Sequence, residues 1–186
     1  MTVLVSELLK ELTERTKRHR EKVVQWKKLP LEELKKRPSN DAWNALECLE
    51  HLNLYGEYYL PEIEKQMNKA GDNPAVNFNS GRLGNYFAKS MLPTEKALKV
   101  KTFKDKNPLH KELDKEVLDE FIEQQDSLLS LLTKAENKNL NKIKTGISIT
   151  KWIKLKLGDT FRIVIYHNER HLQQAQMAID LSVVSV

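Results

Sequence analysis

The sequence predicts an all-α protein, a four-helix bundle with a long crossover connection between helices two and three. Three observations lead to this prediction. Apolar residues recur at spacings of three and four in four long stretches, the chain has only six glycines and six prolines, and 31% of its residues are charged. Such a composition is typical of amphipathic helices and argues against an all-β fold.

The length of 186 residues suits a single domain spanning residues 1–186. We find no signal peptide and no run of about 20 apolar residues, so we expect a cytoplasmic protein with no membrane partner. The single cysteine, Cys48, excludes an internal disulfide and a multi-thiolate zinc cluster. A metal site in this chain would therefore use imidazole and carboxylate ligands.

Helices one and two are predicted in the first 74 residues. Helix one should end at Leu29-Pro30, and helix two should begin with a cap in Ser39–Asp41, kink at Pro61 and stop near residues 70–74. The apolar stripe of helix one consists of Val5, Leu8, Leu9, Leu12, Val23 and Trp26, and that of helix two of Trp43, Leu46, Leu49, Leu52 and Ile63.

Helices three and four are predicted after a crossover over residues 72–108, which should contain one short helix. Helix three runs from about Leu109 to Ala135. Helix four begins near Ile149, with Ser148 as its cap, and contains Gly158, which is expected to weaken or bend it. Its stripe consists of Trp152, Ile153, Leu157, Phe161, Val164, His167, His171, Gln174 and Ala178.

The segment from Lys96 to Lys111 is locally basic, with Asp105 as its only acid. We interpret it as a solvated crossover loop. An anionic small molecule or a nucleic acid is the alternative ligand, but no aromatic-interleaved motif accompanies the lysines. Nucleic-acid binding is therefore the lowest-ranked hypothesis, and we expect no nucleic-acid partner.

Three histidines form the strongest functional signal. His167 and His171 lie one helical turn apart on the apolar stripe of helix four, and His51 lies on a partly apolar face of helix two. Buried imidazoles need partners for their nitrogens, and a divalent metal ion accepts a lone pair from each neutral ring. A site with three histidines would leave at least one coordination position open, as reactive metal sites do.

Two segments carry a resemblance to a known family. The W-x₇-H pattern in DAWNALECLEHLNLYGEYYLPEI, together with LGDTFRIVIYHNERHLQQAQMAI, resembles the DinB-like superfamily of metal-binding four-helix bundles. Its members include thiol-dependent S-transferases and candidate metal-dependent hydrolases. The resemblance implies that His51, His167 and His171 are the metal ligands, and Trp43 and Gln174 also match the family pattern. Zinc, nickel and iron all fit imidazole ligands.

Other residues near these histidines have two interpretations each. Glu47 could orient or ligate at the site or be a solvated helix residue, whereas Gln174 is expected in the pocket, where its amide would contact a metal-binding histidine. Cys48 is more readily a core residue than a ligand. The remaining candidates are the tyrosines Tyr55, Tyr58 and Tyr59 (pocket mouth or packing), His19 (core or site), His110 (exposed), and Asn168, Glu169 and Arg170 (away from the metal seam).

The predicted function is a metal-dependent enzyme with a small-molecule substrate. A bound ion would activate a thiol or water as a nucleophile, so transfer of a low-molecular-weight thiol or hydrolysis would follow. The alternative is a non-catalytic metal-binding bundle with a stress-response or ligand-sequestering role. The sequence assigns no catalytic residue, and it leaves the oligomeric state open, with a homodimer as one alternative.

Overall fold

The computed structural model describes residues 1–93, 102–148 and 150–183, and this part of the chain is mostly helical. Its elements, in chain order, are β1 (Thr2–Leu4), α1 (Val5–Trp26), α2 (Leu31–Lys35), α3 (Ala45–Asn68), β2 (Asn77–Asn79), α4 (Arg82–Met91), a 3₁₀ turn (Lys104–Lys106), α5 (Glu116–Ala135), β3 (Lys144–Ile147), β4 (Thr150–Lys156) and α6 (Leu157–Val183). The predicted helical character is confirmed.

Four of these helices, α1, α3, α5 and α6, are between 20 and 27 residues long. Helix α3 packs against α5 and α6, and α1 also packs against both. Their apolar stripes face inward and bury two clusters of side chains, since an amphipathic helix gains stability by removing its apolar face from water. None of the described helices combines the length and apolarity needed to cross a membrane.

Two small antiparallel sheets accompany the helices, and the sequence had not predicted them. Strand β1 pairs with β2, and β3 pairs with β4. Helix α6 therefore begins at Leu157, and the predicted start near Ile149 was wrong. Ile149 itself lies outside the described residues.

The strand β4 has its own sequence signal, which the helical spacing obscured. In KWIKLK the side chains alternate, so that Trp152 is 94% exposed whereas Ile153 is half-buried and Leu155 is buried. Alternation with a period of two is typical of a strand with one buried face. Pairing with β3 then satisfies the backbone of β4.

The starts of α3 and α5 also differ from the predictions. Asn44, not Ser39–Asp41, caps α3, and Asn44 and Glu47 form a reciprocal capping box. Helix α5 starts at Glu116 and not near Leu109, because His110 has a φ of 63°. A left-handed residue interrupts a right-handed helix. Helix α3 continues through Pro61.

A buried polar cluster fixes α4 against α6. The Asp159 carboxylate accepts hydrogen bonds from the backbone N–H of Gly81, at 2.8 Å, and from the Ser80 hydroxyl. Arg162 binds Asp159 at 3.2 Å and donates to the Asn85 side chain, also at 3.2 Å. Since Asp159 and Arg162 are both buried, this cluster specifies how α4 lies beside the helix that carries two of the histidines.

Gly158 has a different role from the one predicted. It is the second residue of α6, where a Cβ atom would come within 2.6 Å of the Phe78 ring. Phe78 is fully buried in β2. The absent side chain therefore permits close packing of the β1–β2 sheet against the start of α6.

Candidate metal centre

Two helices bring the three predicted histidines together. His51 lies in the second turn of α3, and His167 and His171 lie one turn apart near the middle of α6. One ring nitrogen from each histidine can be chosen so that all three lie within 4.8 Å of one another. The ring centroids are 5.1 Å apart for His51 and His167, and 4.6 Å apart for the other two pairs.

Hydrogen bonds determine which nitrogens of His51 and His171 are free to bind an ion. The Nδ1 atom of His51 lies 2.7 Å from the Lys106 carbonyl oxygen, and the Nδ1 atom of His171 lies 3.0 Å from Oε1 of Gln174. Both oxygens are acceptors, so each Nδ1 carries a proton and donates it. In a neutral ring the Nε2 atom then keeps its lone pair, which is the state that a metal ligand requires.

The spacing of two of these nitrogens fits a bound ion. The Nε2 atoms of His51 and His167 are 3.3 Å apart. In a tetrahedral zinc site each nitrogen lies about 2.0–2.1 Å from the ion. Two nitrogens that bind the same ion are then about 3.3–3.4 Å apart. The donor set and its geometry therefore suit a divalent ion with three imidazole ligands.

Burial keeps all three rings neutral. It lowers the pKa of His51 to about 4, against an opposing contribution from the hydrogen bond to Lys106. Burial, assisted by repulsion from His51, lowers the pKa of His171 to about 3, and burial with repulsion from the other two rings holds the pKa of His167 well below its usual value. Protons therefore compete weakly with a metal ion for these nitrogens at neutral pH.

Aromatic side chains enclose the three histidines. The Trp43 ring lies 4.7 Å from that of His51 and 5.6 Å from that of His171, measured between centroids. Tyr55 packs edge-on against His51 and His167, at 5.0 and 4.9 Å. The indole N–H of Trp43 donates to the Asn107 side chain at 3.1 Å, so the loop after the 3₁₀ turn holds this wall in place.

Glu47 lies one turn before His51 but has other partners. Its carboxylate accepts hydrogen bonds from the backbone N–H groups of Asn44, at 2.9 Å, and His110, at 2.6 Å, and it pairs with Arg37 at 3.0 Å. These contacts account for both carboxylate oxygens at the buried start of α3. Gln174, in contrast, contacts His171 directly.

The remaining candidates lie apart from the three histidines. Cys48 is buried in the core, and burial raises the pKa of its thiol, so it is not a thiolate. His19 is buried on α1, and His110 is exposed. Asn168 is buried and donates to Gln125 at 3.2 Å. Glu169 pairs with Arg15, and Arg170 donates to the Ser90 carbonyl oxygen.

Lys106 and Asn107 contribute to the site although no sequence pattern pointed to them. They lie in the lysine-rich segment, of which residues 96–101 are outside the described residues. Lys106 acts through its backbone carbonyl, which has no signature in the sequence. The side chain of Asn107 is a hydrogen-bond acceptor beside a proline, and only the fold shows that it faces Trp43.

Comparison with known proteins agrees with the geometry of the site. A sequence profile of the DinB superfamily matches residues 15–175. The chain belongs to the DinB superfamily. The match includes all three histidines of this DinB-superfamily protein, and the superfamily is generally metal-binding. No curated protein and no solved structure gave a significant match.

Proposed function

We propose that this DinB-superfamily protein is a metal-dependent enzyme that transfers a low-molecular-weight thiol onto an electrophilic small molecule. In this proposal α1, α3, α5 and α6 form the four-helix bundle, and His51, His167 and His171 bind one divalent ion, zinc, nickel or iron. Hydrolysis at the same site is the alternative reaction. The observation that carries the proposal is the convergence of three neutral imidazoles from two helices.

In the proposed reaction one bond forms and one bond breaks at the same carbon. The sulfur of the thiol forms a bond to carbon while the bond between that carbon and its leaving group breaks, and the thiol proton leaves with the leaving group. When bound, a divalent ion lowers the pKa of a coordinated thiol or water towards neutrality. No oxidant or reductant is required.

The residues around the histidines support this chemistry in two ways. Lys106 and Gln174 hold the Nδ1 protons of His51 and His171, which keeps both rings oriented. Burial raises the pKa of Tyr55 to about 12, so its hydroxyl stays protonated and can donate a hydrogen bond to a leaving group.

The position of Glu47 favours thiol transfer over hydrolysis. Metal-assisted hydrolysis commonly uses a carboxylate as the proton carrier, and Glu47 is the carboxylate one turn before His51 in α3. Its oxygens are instead engaged by Asn44, His110 and Arg37. A thiol needs such a base less than water does, because the pKa of a free thiol, about 8.5, already lies close to neutrality.

The engagement of the Glu47 carboxylate also supports a second candidate function, a metal-binding bundle without turnover. The two functions are distinguished by assaying metal-loaded protein, chelator-treated protein and the His171→Ala variant. Cysteine, glutathione and coenzyme A serve as thiols with 1-chloro-2,4-dinitrobenzene, and hydrolysis of 4-nitrophenyl acetate is measured without thiol.

Thiol consumption that requires both metal and His171 is the expected result. Equal rates in all three preparations would contradict the proposed enzyme. Metal uptake with neither reaction would favour the non-catalytic bundle.

A further inference from the structure

A cavity of about 80 Å³ lies beside His167, one of the three histidines. It is enclosed by α3, α4, α6 and the β3–β4 hairpin, and His167 forms part of its wall. Tyr55 lines it as well and contacts both His51 and His167. A molecule in this cavity would therefore lie against the candidate metal centre.

The wall of the cavity is apolar and uncharged. Among the described residues that line it there is no Lys, Arg, Asp or Glu. Most of the wall consists of aliphatic and aromatic side chains from four elements, including Leu52, Phe87, Met91, Leu155, Ile163 and Val164. Such a surface favours an apolar ligand, because burial removes apolar area of both partners from water.

Three polar side chains of the wall, those of Tyr59, Ser148 and Asn168, already have partners within the protein. The hydroxyls of Tyr59 and Ser148 lie 3.3 Å apart, within hydrogen-bond distance, and Asn168 donates to Gln125 at 3.2 Å. When no ion is bound to the histidines, a carboxylate or ammonium group in the cavity would therefore lose its hydration without gaining an ionic partner from the wall. That loss is costly, so the wall selects against a charged occupant.

We propose that this cavity binds the uncharged, apolar part of the electrophilic substrate, a single ring or a short alkyl chain. The reacting carbon would then face the three histidines while the thiol, whose common forms carry charged groups, enters from elsewhere. The small volume sets the upper size of the buried part. Assigning the occupant to the electrophile rests on the proposed function, whereas binding of an apolar ring rests only on the cavity.

The proposal is tested with fluorobenzene as the probe and 4-fluorobenzoate as its charged counterpart. Both are titrated into the full-length protein and followed by ¹⁹F NMR, and contacts are located from nuclear Overhauser effects to the methyl groups of Ile163 and Val164. In chelator-treated protein we expect saturable binding of fluorobenzene with these contacts, and binding of the carboxylate at least about tenfold weaker. Equal affinity for both probes, or contacts confined to another surface, would overturn the proposal.

A matched pair of variants adds a second measurement. Met91→Trp places a larger side chain at the partly exposed end of α4 that lines the cavity, whereas Met177→Trp makes the same change at an exposed position of α6. Fluorobenzene binding should weaken at least about tenfold in the first variant only. Should Met91→Trp fail to fold, the contacts in the unmodified protein still decide the question.

The titration is carried out on both metal-loaded and chelator-treated protein, with metal content measured separately. Ring binding without metal uptake would contradict the proposed function but not the cavity assignment. Metal uptake without ring binding would contradict the cavity assignment alone.

Discussion

At the scale of single residues, the candidate metal centre depends on which nitrogen of each imidazole carries its proton. His51 is oriented by a backbone carbonyl, and His171 by the side chain of Gln174. Only the second of these contacts can be removed by a single substitution. A substitution of Gln174 therefore tests how the orientation of His171 affects metal binding while the histidine itself is kept.

We predict that Gln174→Leu weakens metal affinity by about 10–100-fold, because the Nδ1 proton of His171 loses its acceptor. The matched control is Gln173→Leu, since Gln173 is exposed on the same helix. Competition with a chromophoric chelator measures both affinities. An unchanged affinity for Gln174→Leu would show that the hydrogen bond does not support the ligand.

His19 makes a separate, pH-dependent contribution to stability. Burial, assisted by Arg15, lowers its pKa to about 3, and its buried Nδ1 atom has no hydrogen-bond partner among the described residues. Above pH 6.5 the ring is neutral in both the folded and the unfolded chain. Below pH 6.5 the unfolded chain binds a proton that the folded protein excludes, so stability falls between pH 6.5 and about 3.

We therefore predict that His19→Leu lessens the loss of stability on acidification. Between pH 6.5 and 5 the variant should retain roughly 1–2 kcal/mol that the unmodified protein loses. Urea unfolding of chelator-treated protein at several pH values measures this difference. His110→Asn, which removes an exposed imidazole, controls for the loss of one histidine. Parallel pH profiles for His19→Leu and the unmodified protein would contradict the prediction.

At the scale of secondary structure, the start of α3 determines where His51 lies. Asn44 and Glu47 satisfy each other's backbone N–H groups, at 2.8 and 2.9 Å, so the first turn of α3 is fixed. His51 follows Glu47 by one turn. The capping box thus positions the histidine without contacting it.

We predict that Asn44→Ala destabilises the protein by about 1 kcal/mol, with a range of about 0.5–2 kcal/mol, because a helix donor loses its acceptor. Ser39→Ala is the control, since Ser39 is exposed and precedes the helix. Chemical denaturation of both variants measures the difference. A larger loss for Ser39→Ala would place the helix cap where the sequence had predicted it.

The elements that the sequence predicted correctly are those with one dominant signal. In α1 the residues Leu8, Leu9 and Leu12 share a helical face, and the helix ends before Pro30. The start of α6 was missed because KWIKLK satisfies both a helical and an alternating pattern, and pairing with β3 decides between them. The cap of α3 was missed because Ser39, Asp41 and Asn44 are all good caps. The signal that distinguishes them is a glutamate three residues later, which only Asn44 has.

The histidines of the candidate site could be predicted from the sequence, but the loop residues that contact His51 and Glu47 could not. Spacing placed His167 and His171 on one face, and the structure brings His51 to them. Spacing could not show that the carboxylate of Glu47 is engaged by a loop residue far along the chain, His110, or that Lys106 presents its carbonyl to His51. These contacts depend on how the loop that contains Lys106 and His110 packs against α3, and no local pattern encodes that path.

At the scale of the whole molecule, the three histidines connect α3 with α6. An ion that binds them would bind the folded chain and not the unfolded chain, and it would therefore stabilise the fold by mass action. At an ion concentration about 100 times the dissociation constant, the gain is about 2.7 kcal/mol.

We predict that such metal loading raises the Tm by roughly 5–11 °C, given about 2–4 °C per kcal/mol for a chain of this size. Chelation should reverse the increase. His171→Ala should show no shift at the same ion concentration. Differential scanning calorimetry measures these changes, and an equal shift in His171→Ala would place the stabilising ion elsewhere.

The central claim is that His51, His167 and His171 hold one divalent ion, and metal analysis of untagged protein tests it most directly. We predict about one equivalent of divalent metal per chain in the unmodified protein and in His110→Asn, and loss of that metal in His171→Ala. Full metal content in a folded His171→Ala variant would contradict the proposed site.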